Sequence, residues 1–220
     1  MSAPFDLIPP LLGGLWVTLQ IAVGAALVAA GAALLAGLGK LSPYRAIRWP
    51  AVAYIEVFRG TSALVQLFWF YFVLPFFGLE LSAMTAGILV LGLNTGAYGA
   101  EVVRGAIQAV PPGQCEAAAA LSLSPAQTMQ RIVLPQAVVA MLPPAGNLMI
   151  ETLKNTALVS LITITDLTFI AQILRADTLR TEEIFTMVLI MYFLVALLIT
   201  VSMRLLERKV SGGLDHGGIK

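Results

Sequence analysis

Glu116-Ala-Ala-Ala-Ala-Leu-Ser-Leu-Ser-Pro-Ala-Gln-Thr-Met-Gln-Arg-Ile-Val-Leu-Pro135 is rich enough in alanine to be helical. It is too short and too polar at its flanks to cross a bilayer, which takes about 20 mostly apolar residues. Glu116–Leu121 is a run of strong helix formers behind Pro111-Pro112-Gly113, and Ser122-Leu123 interrupts it. Ser124-Pro125-Ala126-Gln127 then starts afresh, with Ser as N-cap, Pro at the first helical position and Gln three after the cap. The spacing predicts two pieces of about ten residues, near 15 Å each, bent at Ser122 and lying at one membrane face. A short helix held there between two spans is a handle that a soluble partner can grip. An amphipathic interfacial loop is the plainer alternative.

The rest of the chain is far greasier. Of 220 residues 59% are hydrophobic and 11% charged, with a mean hydropathy of +0.90, against roughly 25% charged in soluble domains. This is the composition of an integral membrane protein. A net charge of +1 gives no reason to expect nucleic acid. The single Cys115 excludes an internal disulfide and any multi-cysteine metal site, and His216, in a Gly-rich tail, has no histidine partner. No catalytic constellation and no metal site is expected. Met1-Ser-Ala-Pro-Phe-Asp6 lacks the basic residues of a cleavable signal.

Four runs are long enough to span: Leu11–Leu38, Ile55–Phe77, Thr85–Val110 and Phe185–Leu206. A fifth, Ile132–Leu153, is interrupted by Pro135 and by Pro143-Pro144, and a sixth candidate, Ala157–Leu174, is short and polar. Lys and Arg collect in cytoplasmic loops. Lys40, Arg45 and Arg48, then Arg104 and Arg131, then Arg204, Arg208 and Lys209 therefore mark three cytoplasmic segments. That pattern predicts an all-α membrane protein of five spans, N-terminus outside and C-terminus cytoplasmic, with 157–183 re-entrant or surface-lying on the external side. Six spans is the alternative. The expected organisation is an external segment 1–10, a membrane domain 11–209 containing the segment 111–135, and a flexible cytoplasmic tail 210–220.

Ionisable residues inside spans are costly, at about 2.5–3.5 kcal/mol each at a helix centre. Glu56 and Arg59, Glu101 and Arg104, and Glu151 and Lys154 repeat one acid-then-base spacing of three in three spans, the last followed by Asn155. Each pair shares a helix face and can neutralise itself. The first two lie near cytoplasmic ends, where interfacial anchoring is as good a reading as function. Glu151 and Lys154 lie deeper and suggest a polar cavity. Asn94 among Gly92, Gly96 and Gly99 reads as a small-residue face for close helix packing.

The segment Glu116–Pro135 also resembles a known motif. Glu116-Ala117-Ala118, the slot at Ser122, and Ile132-Val133-Leu134-Pro135 are similar to EAA-x3-G-x9-I-x-LP, the motif of permease subunits of binding-protein-dependent ABC importers. Every spacing is kept, and Ser122 stands where that family has Gly. Gly14-Leu-Trp-Val-Thr-Leu19, Glu56-Val-Phe-Arg-Gly-Thr61, Ala97-Tyr-Gly-Ala-Glu-Val-Val-Arg-Gly105, Ala109-Val-Pro-Pro-Gly-Gln114 and Leu153-Lys-Asn-Thr-Ala-Leu158 look like the polar amino acid branch. Ile55–Trp69 and Leu158–Leu167 look closest to ectoine/hydroxyectoine importer subunits.

The resemblance implies a five-helix core in a bacterial inner membrane, paired with a second related permease, expected to form a heterodimer. Two ATPase subunits would bind the ATP, and an external solute-binding protein would deliver the cargo. The permease itself would hydrolyse nothing and need no cofactor. Gly113, Glu116, Ala117, Ala118, Ser122, Ile132, Leu134 and Pro135 would form the coupling segment that docks on the ATPase. Glu56, Arg59, Asn94, Glu101, Glu151, Lys154 and Asn155 are the candidates for the solute path. The expected cargo is ectoine or hydroxyectoine, with another polar amino acid (glutamine, arginine or histidine) as the alternative and a passive channel as a remote one.

Overall fold

A computed structural model describes residues 4–211, and among these every regular element is helical. The long helices are α1 (Ile8–Leu41), α4 (Ala83–Gln108), α7 (Leu134–Asn155) and α9 (Thr181–Ser211). Shorter ones are α2 (Arg45–Gly60), α3 (Ala63–Phe68), α5 (Pro112–Ala120), α6 (Pro125–Thr128) and α8 (Leu167–Thr178). Four helices are long and apolar enough to cross a membrane, and α2 with the α3 segment makes a fifth if that bent pair is one span. The connections make successive crossings antiparallel. One end of the bundle gathers Lys40, Arg45, Arg131 and α5, and is called the basic end below. The other, far end carries the 78–82 loop and α8.

Two expectations need correction. Ile55–Phe77 is not one straight helix: the chain is already helical from Arg45, breaks at Thr61-Ser62 and turns by 106° into the Ala63–Phe77 segment. Gly60 ends α2, and Thr61 (φ −125°, ψ 154°) and Ser62 (ψ 133°) are extended, so the hydrogen-bond ladder stops there. Nor is Ser124–Pro135 a separate ten-residue piece. From Pro125 the helix passes through a π turn (Met129–Val133) into α7 and a 3-10 turn (Thr156–Ile162), making one apolar rod of 38 residues. Pro135 has no N–H to donate and follows directly on the π turn, where the Leu134 amide reaches back to the Met129 carbonyl, and Pro143-Pro144 are accommodated within the helix.

Residues 157–183 contain no further crossing. α8 has 12 residues, about 18 Å of helix, and lies at the far end against the start of α1. The Leu167 amide donates to Thr18 Oγ1 at 3.1 Å, and Asp166 caps α8 by accepting from the amides of Thr168 (3.2 Å) and Phe169 (3.0 Å). Burial pushes the Asp166 carboxyl above the usual carboxylate range, while those amide donors pull it back. Arg180 pairs with Asp6 at 3.1 Å and also with Glu183.

The centre of the bundle is the α1–α4 contact. A Cβ placed on Gly92 would stand 2.6 Å from Val28 Cβ and 2.9 Å from the Ala25 carbonyl, and one on Gly96 2.7 Å from Ala32 Cβ. Glycine lets these two backbones touch, which is how packing is won in lipid, where burying apolar surface gains little. The close-packing face expected around Asn94 is therefore present. Around it, Ile21, Leu67, Val90 and Val159 fill the far half, and Val103, Ile107, Val133 and Ala137 the basic half. Leu12, Leu34, Leu197 and Leu198 project outward, as lipid-facing side chains do. The expected tail 210–220 lies outside the described residues beyond Ser211, and so do residues 1–3 of the expected external segment.

Candidate functional site

The break between α2 and α3 exposes backbone carbonyls at mid-bundle, and two amides answer them. Gln66 Nε2 donates to the carbonyls of Phe58 (2.9 Å) and Thr61 (3.2 Å) and lies 2.7 Å from Thr61 Oγ1. Asn94 Nδ2, on α4, donates to the same Phe58 carbonyl (3.0 Å) and to Gln66 Oε1 (3.1 Å). Both side chains are buried. Non-helical backbone at membrane depth is tolerated only where it is satisfied in this way. One residue on, Thr95 Oγ1 lies 2.7 Å from Thr152 Oγ1 of α7. These bonds bring the α2–α3 break, Gln66, Asn94, Thr95 and Thr152 to one level of the bundle.

Glu151, Lys154 and Asn155 belong to that level by position, since they flank Thr152 within one turn of α7. Glu151 and Lys154 are exposed, Asn155 half-buried, and the expected Glu151–Lys154 ion pair is not formed. Lys154 instead sits on the wall of an apolar groove of about 520 Å³ between α7 and α9, with Leu153, Ala157, Val188, Tyr192 and Phe193. A second cavity, of about 320 Å³, is walled by the Thr95–Thr152 pair, by Leu27 and the alanines of α1, and by Leu148 and Met149 of α7.

Glu56, Arg59 and Glu101 are elsewhere. Glu101 is seven residues beyond Asn94 on α4, about 10 Å nearer the basic end. Its carboxylate accepts from Lys40 Nζ at 2.6 Å and Arg104 Nε at 2.8 Å, with Arg59 Nη1 at 3.9 Å. Glu56 reaches Lys40 at 3.8 Å, and the Arg59 guanidinium lies 5.3 Å from the centre of the Tyr98 ring. The Glu101–Arg104 pair forms as the spacing predicts. The Glu56–Arg59 pair does not: the two are drawn to different partners on α1 and α4. The result is a five-charge network tying α1, α2 and α4 at the basic end.

At that same end, α5 runs from Pro112 to Ala120 with Gly113, Glu116 and Ala117 exposed and Ala118 fully buried. Ser122, at φ +60°, is left-handed. Its amide donates to the Ala119 carbonyl (2.9 Å) and that of Leu123 to the Ala118 carbonyl (3.1 Å), the paired bonds of a Schellman turn. Ser124 then caps the next helix, its Oγ accepting from the Gln127 amide (3.3 Å) while Gln127 Oε1 accepts from the Ser124 amide (2.9 Å). The two helices meet at this bend, and Ile132, Leu134 and Pro135 carry the second into the bundle, with Leu134 packed beside Val133 and Ala137.

Residues 26–212 match the family described as "Binding-protein-dependent transport system inner membrane component". The chain belongs to this family. This inner membrane component is 48% identical to a probable amino-acid ABC transporter permease protein of Sinorhizobium fredii, over 96% of this chain and 91% of the relative. It is 36% identical to the glutamine transport system permease protein of Escherichia coli K12, over 95% and 96% of the two chains. Among solved structures, the crystal structure of an amino acid ABC transporter with histidines superposes with a TM-score of 0.87 at 38% identity, covering 93% of this chain and 96% of that one.

Sequence reasoning about this inner membrane component missed Gln66, Thr61, Thr95, Thr152 and Lys40. Two of them carried a signal. Gly60-Thr61-Ser62 is a helix-breaking triplet inside an apolar run, and Gln66 is the polar side chain that follows it by one turn. In sequence Lys40 marks only topology, although a lysine at a span end can reach an acid on a neighbouring helix. Thr95 and Thr152 left no trace in sequence, because a hydroxyl in a helix satisfies itself on its own backbone as readily as on a neighbour.

Proposed function

We propose that this chain is the permease subunit of a binding-protein-dependent ABC importer, carrying a small zwitterionic amino acid or amino-acid derivative. The observation that carries this reading is the joining of an exposed short helix, α5, through a defined Schellman bend to the long rod that bears Glu151 and Lys154 at mid-depth. In this reading a soluble ATPase subunit grips α5 through Gly113, Glu116 and Ala117. Its closure moves the bend at Ser122, and Ile132, Leu134 and Pro135 pass that motion into α7. Ala118, being buried, is the face by which α5 is held to the bundle.

The solute passes the level of the α2–α3 break, where Lys154 attracts its carboxylate and Glu151 its ammonium, with Asn155 beside them. Asn94 acts there by holding the break in place. Glu56, Arg59 and Glu101 act at the basic end as the network that holds α2 against the core. A second related permease, two ATPase subunits and an external solute-binding protein complete the assembly, with the basic end in the cytoplasm.

Ectoine or hydroxyectoine is the cargo favoured by the likeness of Ile55–Trp69 and Leu158–Leu167, and glutamine is the cargo named for the Escherichia coli relative. Both are zwitterions at neutral pH. The test is ATP-driven uptake of radiolabelled ectoine and L-glutamine into proteoliposomes holding the whole transporter. Glu116→Lys should abolish uptake while leaving a folded permease that no longer retains its ATPase. Wild-type uptake by Glu116→Lys would refute the coupling role, and uptake of neither solute would refute ectoine and glutamine as the cargo.

A further inference from the structure

The seam between α7 and α9 holds more than the groove at Lys154. Nearer the basic end, between the same two helices, lies a separate cavity of about 190 Å³, whose walls include Asn147 and Gly146 of α7 and Thr200, Met203, Arg204 and Glu207 of α9. Asn147, Glu151 and Lys154 are spaced by four and three and so share one face of α7. Phe193, Ala196, Thr200, Met203 and Glu207 continue the matching stripe on α9. The two cavities therefore lie in succession along one seam between α7 and α9. Asn147 and Lys154 are separated by seven residues, about 10 Å along the axis.

The polar groups of the inner cavity are unspent. Arg204 and Glu207 are one turn apart on the same wall, yet among the described residues neither forms an ion pair, with the other or with anything else. The Asn147 side chain is exposed and has no hydrogen-bond partner among the described residues, whereas the Thr200 hydroxyl donates to the Ala196 carbonyl at 2.8 Å. A guanidinium suits a carboxylate through paired N–H donors, a carboxylate suits an ammonium, and an amide between them suits either. The volume lies below the roughly 300 Å³ at which pockets for drug-sized ligands begin, which fits a solute of amino-acid size. A phospholipid headgroup site would gather basic residues of one sign, and Glu207 opposes that.

We propose that Asn147, Arg204 and Glu207 form a second zwitterion-binding station, on the coupling-segment side of the Glu151–Lys154 level, which a solute occupies after leaving the first. Two stations along one helix seam let each be weak enough to release while the pair still guides the solute. The proposal rests on the zwitterionic cargo reading above, and its test separates the two.

The experiment uses the whole transporter with Thr200→Cys, a cavity-lining position outside the three binding groups, in a Cys115→Ser background, and reads the rate of maleimide labelling at position 200 with and without 10 mM (about a thousandfold the label) L-glutamine or ectoine. Protection of at least about fivefold by one zwitterion is expected, and it should disappear when Arg204→Met is added and persist with Lys154→Met. The same preparations are assayed for uptake. Protection without uptake of either solute overturns the cargo reading alone. Uptake without protection, or protection unaffected by Arg204→Met, overturns the second station. Loss of a co-purified anionic lipid in Arg204→Met, read by native mass spectrometry with solute protection unchanged, likewise overturns it in favour of a lipid site.

Discussion

Replacing Glu101 by Gln tests whether the five-charge network holds the broken span to the core. The carboxylate is 20% exposed and accepts from Lys40 at 2.6 Å and Arg104 at 2.8 Å, both of them no more than a third exposed. A hydrogen bond to a charged group contributes about 1.5–3 kcal/mol net. Glutamine keeps one acceptor oxygen, so one bond survives in a neutral, weaker form. It also leaves Lys40, Arg59 and Arg104 facing one another with only Glu56, 3.8 Å from Lys40, to offset them. The expected loss is about 3 kcal/mol, less than two full charge-assisted bonds because the site is partly wetted. For a domain of this size each kcal/mol moves the midpoint by about 2–4 °C, so a fall of about 6–12 °C is expected. The assay is thermal unfolding of the purified permease in detergent, followed by fluorescence-detected size exclusion. Lys40→Met alone should lower the midpoint, and Lys40→Met with Glu101→Gln should lower it by less than the two single effects added. A Glu101→Gln midpoint within about 1 °C of wild type, or strict additivity with Lys40→Met, would refute the network as a stabilising unit.

Two further substitutions probe the bends. Ser122→Gly should stabilise α5 by about 1 kcal/mol, since a left-handed L-residue costs about 1–2 kcal/mol and glycine's extra freedom when unfolded takes back part of that gain; slower amide hydrogen exchange over 113–123 is the readout, and faster exchange would contradict it. Gln66→Leu should leave the carbonyls of Thr61 and, in part, Phe58 without donors in a dry setting, lowering stability by about 2 kcal/mol; an unchanged unfolding midpoint would show that water already reaches the break.

How far the fold could be read from sequence depended on what a residue's role required. Spans declared themselves because length and hydropathy are local properties, and α1, α4 and α9 lie within a few residues of their expected bounds. The Ser124–Gln127 capping box was equally legible, because a cap is made by residues three apart. Pairings across helices were not. Glu56 and Arg59 share a face of α2, yet Lys40 lies nearer one and Glu101 nearer the other, a choice set by how α1 and α4 approach through Gly92 and Gly96. The span break showed only in the Gly60-Thr61-Ser62 triplet and Gln66, because the mean hydropathy of Ile55–Phe77 stays high and does not register where a backbone stops bonding to itself. The Ser124-Pro125 restart reads as the start of an independent piece, since nothing in a cap says how far its helix continues.

That continuation has a mechanical consequence. A helix of 38 residues is about 55 Å long, longer than the membrane is thick, and it runs from the bend at Ser122 to the far face without a break in its helical course. Such a rod works as a lever and not as a string. If it pivots near its middle, a tilt of only about 4° carries its two ends about 2 Å in opposite directions. A push received at one face would then reach the opposite face as a pull, with Glu151 and Lys154 on the far arm of the beam.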